Sequence, residues 1–345
     1  MNATKQTRRI AFFLCLVLLL SVMILPTGAA AGRERKTILL GGVPFGVRFL
    51  TDGIFVVGYC DVVCGGAKCN PAREAGIAPG DCIYKINEEM PSTAAELSAA
   101  IEKCGAAPIE LSFRRGGEEK RVTLTPVVCD EDGRIRTGLF VRDSGAGIGT
   151  VTYVDPKTGA FAGLGHGICD GECGALIPMA RGSVMGVTVG DITKGAPGAP
   201  GELRGHFSAG KMGTLVGNTP CGVYGVLAEH PLLPVGEMEI GFRDELHDGA
   251  ATLWCTLDDN VPHEYGIKIS NIHRNAEGNK CFTVKVTDAA LIDRTGGIVQ
   301  GMSGSPIVQD GRLVGAVTHV LIGDPTSGYG IFIENMLASV PEALS

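Results

Sequence analysis

A mainly β chain of two domains behind an apolar leader is what this sequence predicts, and three features predict it. Fifty-one glycines are scattered among short Val, Ile and Leu runs with few long amphipathic stretches, as expected of short strands joined by tight turns. A length of 345 residues leaves room for two ordinary domains and a targeting segment, whereas one domain would be unusually large. The stretch Gly297 to Val320, GIVQGMSGSPIVQDGRLVGAVTHV, sets a serine in a glycine turn between two apolar runs. With 45% hydrophobic residues the chain can bury ample core. Its net charge of −7, with no Lys/Arg cluster outside the N-terminus, leaves no electrostatic footprint for nucleic acid, which is not expected as a partner.

The leader comes first. Lys5, Arg8 and Arg9 precede an apolar run from Ile10 to Leu25, broken only by Ser21 and followed by Pro26 and the small residues Ala29 to Gly32. This is the pattern of an export signal over residues 1–35, either cleaved near Ala31 or kept as an N-terminal membrane anchor helix. The charge on its leading side places the bulk of the chain outside the cytoplasm. Of twelve cysteines, Cys15 lies in this leader, and the odd number left over implies at least one free thiol in an exported protein. Cys60, Cys64 and Cys69, and then Cys169 and Cys173, lack the paired C-x2-C spacing of a zinc site, so no metal and no cofactor is expected.

Residues 36–128 form the first expected domain. Ala75-Gly76-Ile77-Ala78-Pro79-Gly80-Asp81-Cys82-Ile83, then Ile86-Asn87, places Gly and Pro in a turn with Ile83 and Ile86 entering the core. Thr93-Ala94-Ala95-Glu96 is a capping box that starts a helix with Leu97, Ala100, Ile101 and Cys104 down one side. These stretches resemble a PDZ domain. The resemblance puts a carboxylate-binding loop on Val43, Pro44, Phe45 and Gly46, just before a strand, and implies a groove that takes peptide termini as an added strand.

The second domain, residues 129–345, opens after the polar turn Asp130 to Gly133. Ser144 to Gly149, SGAGIG, precedes strand-like text where a dinucleotide site needs a helix, and it reads as a turn. No repeat of fixed period is evident, and Gly195 to Gly201 reads as a Gly/Pro-rich surface loop. In Gly301-Met302-Ser303-Gly304-Ser305-Pro306 the glycines can aim backbone N–H groups at one point beside a hydroxyl, which is how an oxyanion hole is built. Ile307-Val308 and Leu313 to Val317, separated by Gln309 to Arg312, read as a hairpin that holds the turn. The pattern G-x-S-G-x-P resembles the nucleophile turn of trypsin-like serine proteases. Ser303 has Gly two residues before it and Gly directly after it, while Ser305 precedes Pro306 and should line the turn.

A serine nucleophile needs a base and a group that orients the base. Of seven histidines, His166 in GLGHGICD sits in a glycine-rich turn at a strand end, His319 follows the hairpin as a weaker competitor, and the other five lie in polar text. The stretches GLGHGICD, VTDAALIDRTGGIVQGMSGSPIVQDGRLVGAVTHV and DPTSGYGIFIENML resemble the SpoIVB peptidases of endospore-forming bacteria. That resemblance implies a PDZ domain followed by a trypsin-like double β-barrel serine peptidase domain. It places the nucleophile on Ser303, the base on His166 and the acid on Asp288, with Gly301 and Ser303 N–H groups as oxyanion donors. Asp288 stands fifteen residues before the nucleophile, away from the barrel junction where that layout places its acid, and Asp191, Asp244, Asp258 and Asp259 are alternatives by position.

The expected function is therefore an exported serine endopeptidase acting on protein or peptide substrates. The resemblance further implies self-cleavage and cleavage of a membrane-bound inhibitor of an intramembrane protease, in the space between forespore and mother cell, leading to activation of a late sporulation sigma factor. Two rivals stand beside it: a non-enzymatic PDZ scaffold whose protease-like domain only binds, and a thiol or metal enzyme built on Cys169 and Cys173.

Overall fold

Alternation of buried and exposed side chains drives most of this chain into strands, and two of those strands are long enough to serve two sheets. The computed structural model describes residues 33–228, 235–258 and 261–344; the apolar run Ile10 to Leu25 and Cys15, His230 and Asp259 lie outside the described residues. No helix among the described residues is long and apolar enough to cross a membrane.

Strand β1 (Thr37–Leu40) is followed by β2 (Pro44–Tyr59). In β2, Phe45, Val47 and Phe49 are buried while Arg48 and Leu50 are exposed, the period of a half-buried strand. Gly53, at φ +97°, divides it; a Cβ there would lie 2.8 Å from the Ile83 carbonyl oxygen. Beyond Gly53 the strand enters the PDZ sheet, where Ile54 and Phe55 pair with β3 (Cys82–Ile86).

The PDZ region adds α1 (Pro71–Glu74), α2 (Ala94–Cys104), β4 (Ile109–Arg115) and β5 (Glu118–Leu124) around a core that includes Ile54, Ile83, Leu97, Ile101 and Phe113. Helix α2 begins where the sequence predicts: the Thr93 hydroxyl accepts the Glu96 N–H at 3.1 Å. Its partner carboxylate, Glu96, turns to the Ser92 N–H and hydroxyl instead of the Thr93 N–H. Ile83 and Ile86 are in the core as expected. The Pro-Gly turn before them is pinned by Asp81, which is fully buried, accepts the Ala78 N–H and pairs with Arg115 at 2.6 Å.

Strand β6 (Leu139–Val154) then runs back along β2, from Leu139 opposite Tyr59 to Thr150 opposite Pro44. Ser144 to Gly149, expected as a turn, is the middle of this strand. Its glycines are needed for close approach rather than for bending: a Cβ on Gly145 would lie 2.4 Å from the Phe49 ring and one on Gly149 would lie 2.1 Å from Leu164. The sheet continues through β7 (Ala160–Gly163), β8 (Met179–Thr193), β9 (Glu202–Thr219) and β10 (Gly222–Leu227). Pairings β2–β6, β6–β7, β7–β10, β10–β9, β9–β8 and β8–β2 close a first six-stranded barrel.

A second closed barrel comprises β11 (Gly249–Cys255), β12 (His263–Ser270), β13 (Phe282–Val286), β14 (Pro306–Gln309), β15 (Arg312–Leu321) and β16 (Asp324–Phe332). Helix α3 (Ala289–Thr295) precedes β14, and α4 (Ile333–Ala338) follows β16, where Tyr224 of the first barrel donates to the Met336 carbonyl at 2.8 Å. The expected hairpin is present, with Asp310 and Gly311 at φ +51° and +73° between β14 and β15. The fold is thus mainly β, a PDZ domain with a double barrel.

The strands do not divide at residue 128. Pro44–Leu50 belong to the first barrel, and Leu139–Arg142 pair with the PDZ half of β2, so the PDZ region is inserted into the first hairpin of the barrel. The apolar alternation of β2 continues through both uses, which leaves no composition break to read. Removing residues 36–128 should therefore unfold the remainder, because it takes β2 out of the barrel and β1 off the end of β6. Replacing residues 52–142 by an Asn-Gly turn should leave a cooperative thermal transition and a β-type circular dichroism spectrum. If the 36–128 deletion folds and the turn replacement does not, the insertion topology is wrong.

Candidate active site

The turn that carries Ser303 is held from both barrels. Helix α3 ends at Gly296, in the left-handed region at φ +76°, and the chain passes through buried Ile298 and Val299 to Gly301 at φ +96°. From the first barrel, the Thr150 N–H donates to the Ser303 carbonyl at 2.9 Å, the Thr150 hydroxyl to the Gly301 carbonyl at 2.8 Å, and the Thr152 hydroxyl to the Gly304 carbonyl at 2.7 Å. The Leu203 N–H reaches the Gln300 carbonyl at 2.8 Å. From the second barrel, the Val317 carbonyl accepts the Gly304 N–H at 2.8 Å. Gly304 is at φ +93°, and a Cβ there would sit 2.1 Å from the Thr150 oxygen, so only glycine fits.

This bonding leaves an alternation. The N–H groups of Met302, Gly304 and Ser305 are bound to Val299, Val317 and Met302 carbonyls, whereas those of Gly301 and Ser303 have no acceptor among the described residues. Two free N–H groups flanking an accessible hydroxyl are the parts of an oxyanion hole. The two serines are separated by burial: Ser303 is partly exposed, while Ser305 is fully buried and its hydroxyl has no partner.

His166 follows β7. Leu164 and Gly165 both take φ +66°, a strained conformation for a leucine, and a Cβ on Gly165 would lie 3.0 Å from Thr318. Thr318 is also where the candidate serine rests, since the Ser303 hydroxyl donates to its carbonyl at 2.8 Å. Nδ1 of His166 lies 2.8 Å from the Gly167 carbonyl. A carbonyl only accepts, so this bond puts the proton on Nδ1 and leaves Nε2 with a lone pair. Burial pushes the His166 pKa down, partly offset by the Gly167 bond.

His319, the weaker competitor in the sequence, packs against the candidate base with ring centroids 4.8 Å apart. Its Nδ1 is buried without a partner. Burial, then the His166 and Lys280 charges, push its pKa down to about 4. The loop after His166 is tied by Asn218, which accepts the Ile168 N–H at 2.8 Å and donates to the Ile168 and Ile177 carbonyls. Asp170 clamps the next turn: burial raises its pKa, but the Glu172 and Cys173 N–H groups and Arg142 outweigh that and hold it low. Neither Asn218 nor Asp170 carries a sequence signal beyond a polar residue beside a turn. His206, His247, His263 and His273 are exposed.

Asp288 is the N-cap of α3. One carboxylate oxygen accepts the Ala290 and Leu291 N–H groups at 2.9 and 3.0 Å, and the other lies 3.4 Å from the Gly266 N–H. No hydrogen bond joins it to His166 among the described residues.

The expected carboxylate-binding loop requires correction. Phe45 is buried with its ring edge-on to Phe161 at 5.5 Å, the Val43 carbonyl accepts the Val151 N–H, and a Cβ on Gly46 would lie 2.4 Å from the Phe207 ring. Pro44, Phe45 and Gly46 start a barrel strand directly after Val43, and Phe45 and Gly46 are buried there. The groove beside α2 is built instead from residues 134–141. Leu97 and Ile101 of the helix line a cavity of about 430 Å³ together with Thr137, Gly138, Leu139 and Val141.

The cysteine reading gains no support from geometry. Burial and the neighbouring Cys173 raise the Cys169 pKa, which disfavours the thiolate that a nucleophile or ligand needs. No group of three or more His, Cys, Asp or Glu that could hold a metal occurs among the described residues, and Cys64 and Cys69 form a disulfide.

The SpoIVB peptidase S55 family model matches residues 133–337, and a PDZ domain model matches residues 62–115. A putative zinc metalloprotease of Thermotoga maritima is 37% identical over 111 residues, 32% of this chain and 20% of that protein, so the chain spans about a fifth of this curated relative's length. Among solved structures, the HtrA-type protease AlgW with a decapeptide aligns over 60% of this chain and 53% of its own, at 16% identity and a TM-score of 0.33. The active form of the Rv3671c protease of M. tuberculosis aligns over 56% of this chain and 72% of its own, at 14% identity and a TM-score of 0.32. The PDZ domain of the SdrC-like protein of Listeria monocytogenes aligns over 26% of this chain and 87% of its own, at 16% identity and a TM-score of 0.22.

Two outcomes follow from this geometry. Both histidines are depressed, so the unfolded chain takes up protons from about pH 6.5 downward while the folded chain resists, to about pH 4 for His319. The thermal midpoint should fall as pH drops through that window, and His319→Gln should flatten the fall; an unchanged slope would contradict the buried neutral pair. Since Asn caps as well as Asp, Asp288→Asn should keep stability and activity within about tenfold, whereas Asp288→Ala should lose about 1 kcal/mol of stability. A loss of about four orders of magnitude in kcat for a folded Asp288→Asn would make that carboxylate the orienting acid.

Proposed function

This chain belongs to the SpoIVB peptidase S55 family, a family of serine peptidases, and we propose that Ser303 is its nucleophile and His166 its general base. The observation that carries the assignment is the pair of free N–H groups, Gly301 and Ser303, on either side of an accessible hydroxyl.

In this mechanism the Ser303 hydroxyl leaves the Thr318 carbonyl and rotates toward Nε2 of His166, which the Gly167 carbonyl keeps unprotonated. Nε2 takes the hydroxyl proton as Oγ bonds to the scissile carbonyl carbon, and the carbonyl oxygen becomes an anion held by the Gly301 and Ser303 N–H groups. The imidazolium then gives its proton to the leaving amine as the C–N bond breaks. Water repeats the cycle on the acyl-enzyme and restores Ser303. The low pKa of His166 favours the neutral base at pH 7.

We further propose, from the leader motif at Ile10 to Leu25, that the peptidase acts outside the cytoplasm, anchored or released. The PDZ groove beside α2 would then select a protein partner by its peptide terminus. Self-cleavage, and cleavage of a membrane-bound inhibitor of an intramembrane protease that frees a late sporulation sigma factor, complete the reading. What supports them is the family alone.

The assignment is tested by a fluorophosphonate label with mass mapping. The adduct should fall on Ser303, disappear in His166→Ala, and be retained in Ser305→Ala. An adduct on Ser305, or full peptide hydrolysis by Ser303→Ala, overturns the mechanism. No adduct and no turnover of any peptide would favour a binding scaffold.

A further inference from the structure

The first barrel carries a cationic trough that the catalytic reading leaves unused. Arg48 on β2, Arg142 on β6, Arg181 on β8 and Lys211 on β9 line a single open cavity of about 700 Å³. Every charged residue lining it is basic, in a chain with 37 acidic and 30 basic residues. Arg142 is paired with Asp170 at 3.0 Å, and Arg48 lies over the Phe207 ring at 5.0 Å. Arg181 and Lys211 have no ion-pair partner among the described residues, and both are exposed. Four cations lining one open cavity, only Arg142 of them in an ion pair among the described residues, concentrate positive potential there.

The trough is not isolated from the active site. Ala146 lines both it and a second cavity of about 410 Å³, whose wall includes Gly301, one of the two free oxyanion donors. Phe207 stands in that second cavity and carries Arg48 on its ring face, joining the two. Along β6 the path from Ala146 to Arg142 is four residues, roughly 13 Å at about 3.3 Å per residue. Glu202, the acidic residue at the Gly301 end, is paired with Arg204 at 3.4 Å.

We propose that this trough is an exosite for an acidic stretch of the polypeptide substrate, about four or more residues from the scissile bond. The inference rests on the peptidase reading above. An extended acidic peptide fits the observations better than an anionic membrane, because the cations line a depression that shares Ala146 with the Gly301 cavity, whereas a bilayer presents a flat face. Exposed Leu50, at 42%, adds an apolar contact in the middle of the cationic wall.

The test uses a peptide that the enzyme cleaves, made in matched pairs with four Glu or four Gln appended on either side. The quantity read is the acidic-to-neutral ratio of kcat/KM within each protein. For the wild type, the ratio should be about tenfold or more on one side at low salt and fall as salt shortens the Debye length from about 30 Å at 0.01 M to about 8 Å at 0.15 M. Arg181→Glu with Lys211→Glu should bring it to one or below, and the milder Arg181→Gln with Lys211→Gln should give an intermediate ratio. A wild-type ratio near one, or a ratio unchanged in both variants, overturns the exosite. If no peptide is turned over, the peptidase reading fails separately, and anisotropy of a labelled octa-Glu peptide on Ser303→Ala still decides the trough. Binding lost in the Glu double variant supports it. No binding, or capture of phosphatidylglycerol vesicles in place of the peptide, overturns it.

Discussion

The antiparallel pairing of β2 with β6 is the constraint on which the rest of the molecule depends. At one end it supplies the edge of the PDZ sheet beside α2, and at the other it closes the first barrel. Past that closure, Thr150 and Thr152 reach across to three carbonyls of the turn that carries Ser303. A buried carbonyl without a donor costs about 1–3 kcal/mol, so these bonds fix the turn's orientation as well as its place.

Strain and close approach gather around the same point. Gly304 admits the Thr150 oxygen where no side chain could stand, and Leu164 accepts φ +66° so that His166 can follow Gly165 against Thr318. Such costs persist only where surrounding structure holds them in place. Here both barrels do so, with Asn218 tying the far side of the histidine loop.

Much of this was legible in local sequence. The Asp310-Gly311 hairpin, the Thr93 cap, the inward Ile83 and Ile86, and the contrast between Ser303 and Ser305 all follow from spacing within a few residues. The misreadings share one cause, which is that a local pattern does not name its partner. Val43 to Gly46 has the look of a loop before a strand, but whether that strand belongs to the PDZ sheet or the barrel is decided by Phe161 and Phe207 far along the chain. Ser144 to Gly149 has the composition of a turn, yet its glycines answer to Phe49 and Leu164. The groove wall at residues 134–141 lies some thirty residues beyond the helix it faces. Asp288 carries a readable cap signature, an Asp before Ala-Ala-Leu, and it caps α3 as that signature implies.

In the proposed mechanism a main-chain group takes the orienting role that a carboxylate takes elsewhere. A catalytic acid fixes the base's tautomer and stabilises the imidazolium that forms. The Gly167 carbonyl accomplishes the first through its bond to Nδ1, and it does so without adding a full negative charge to a pocket that already disfavours protonation. The second task it does only in part, because a carbonyl dipole attracts a cation less than a carboxylate does. The tilted ring of His319 cannot help while it is neutral, and its own low pKa, about 4, keeps it neutral near pH 7. The pocket is therefore biased toward a ready base with a weakly stabilised conjugate acid. In such a pocket the charge that develops during reaction must be met chiefly on the oxyanion side, by the Gly301 and Ser303 N–H groups that β6 leaves free.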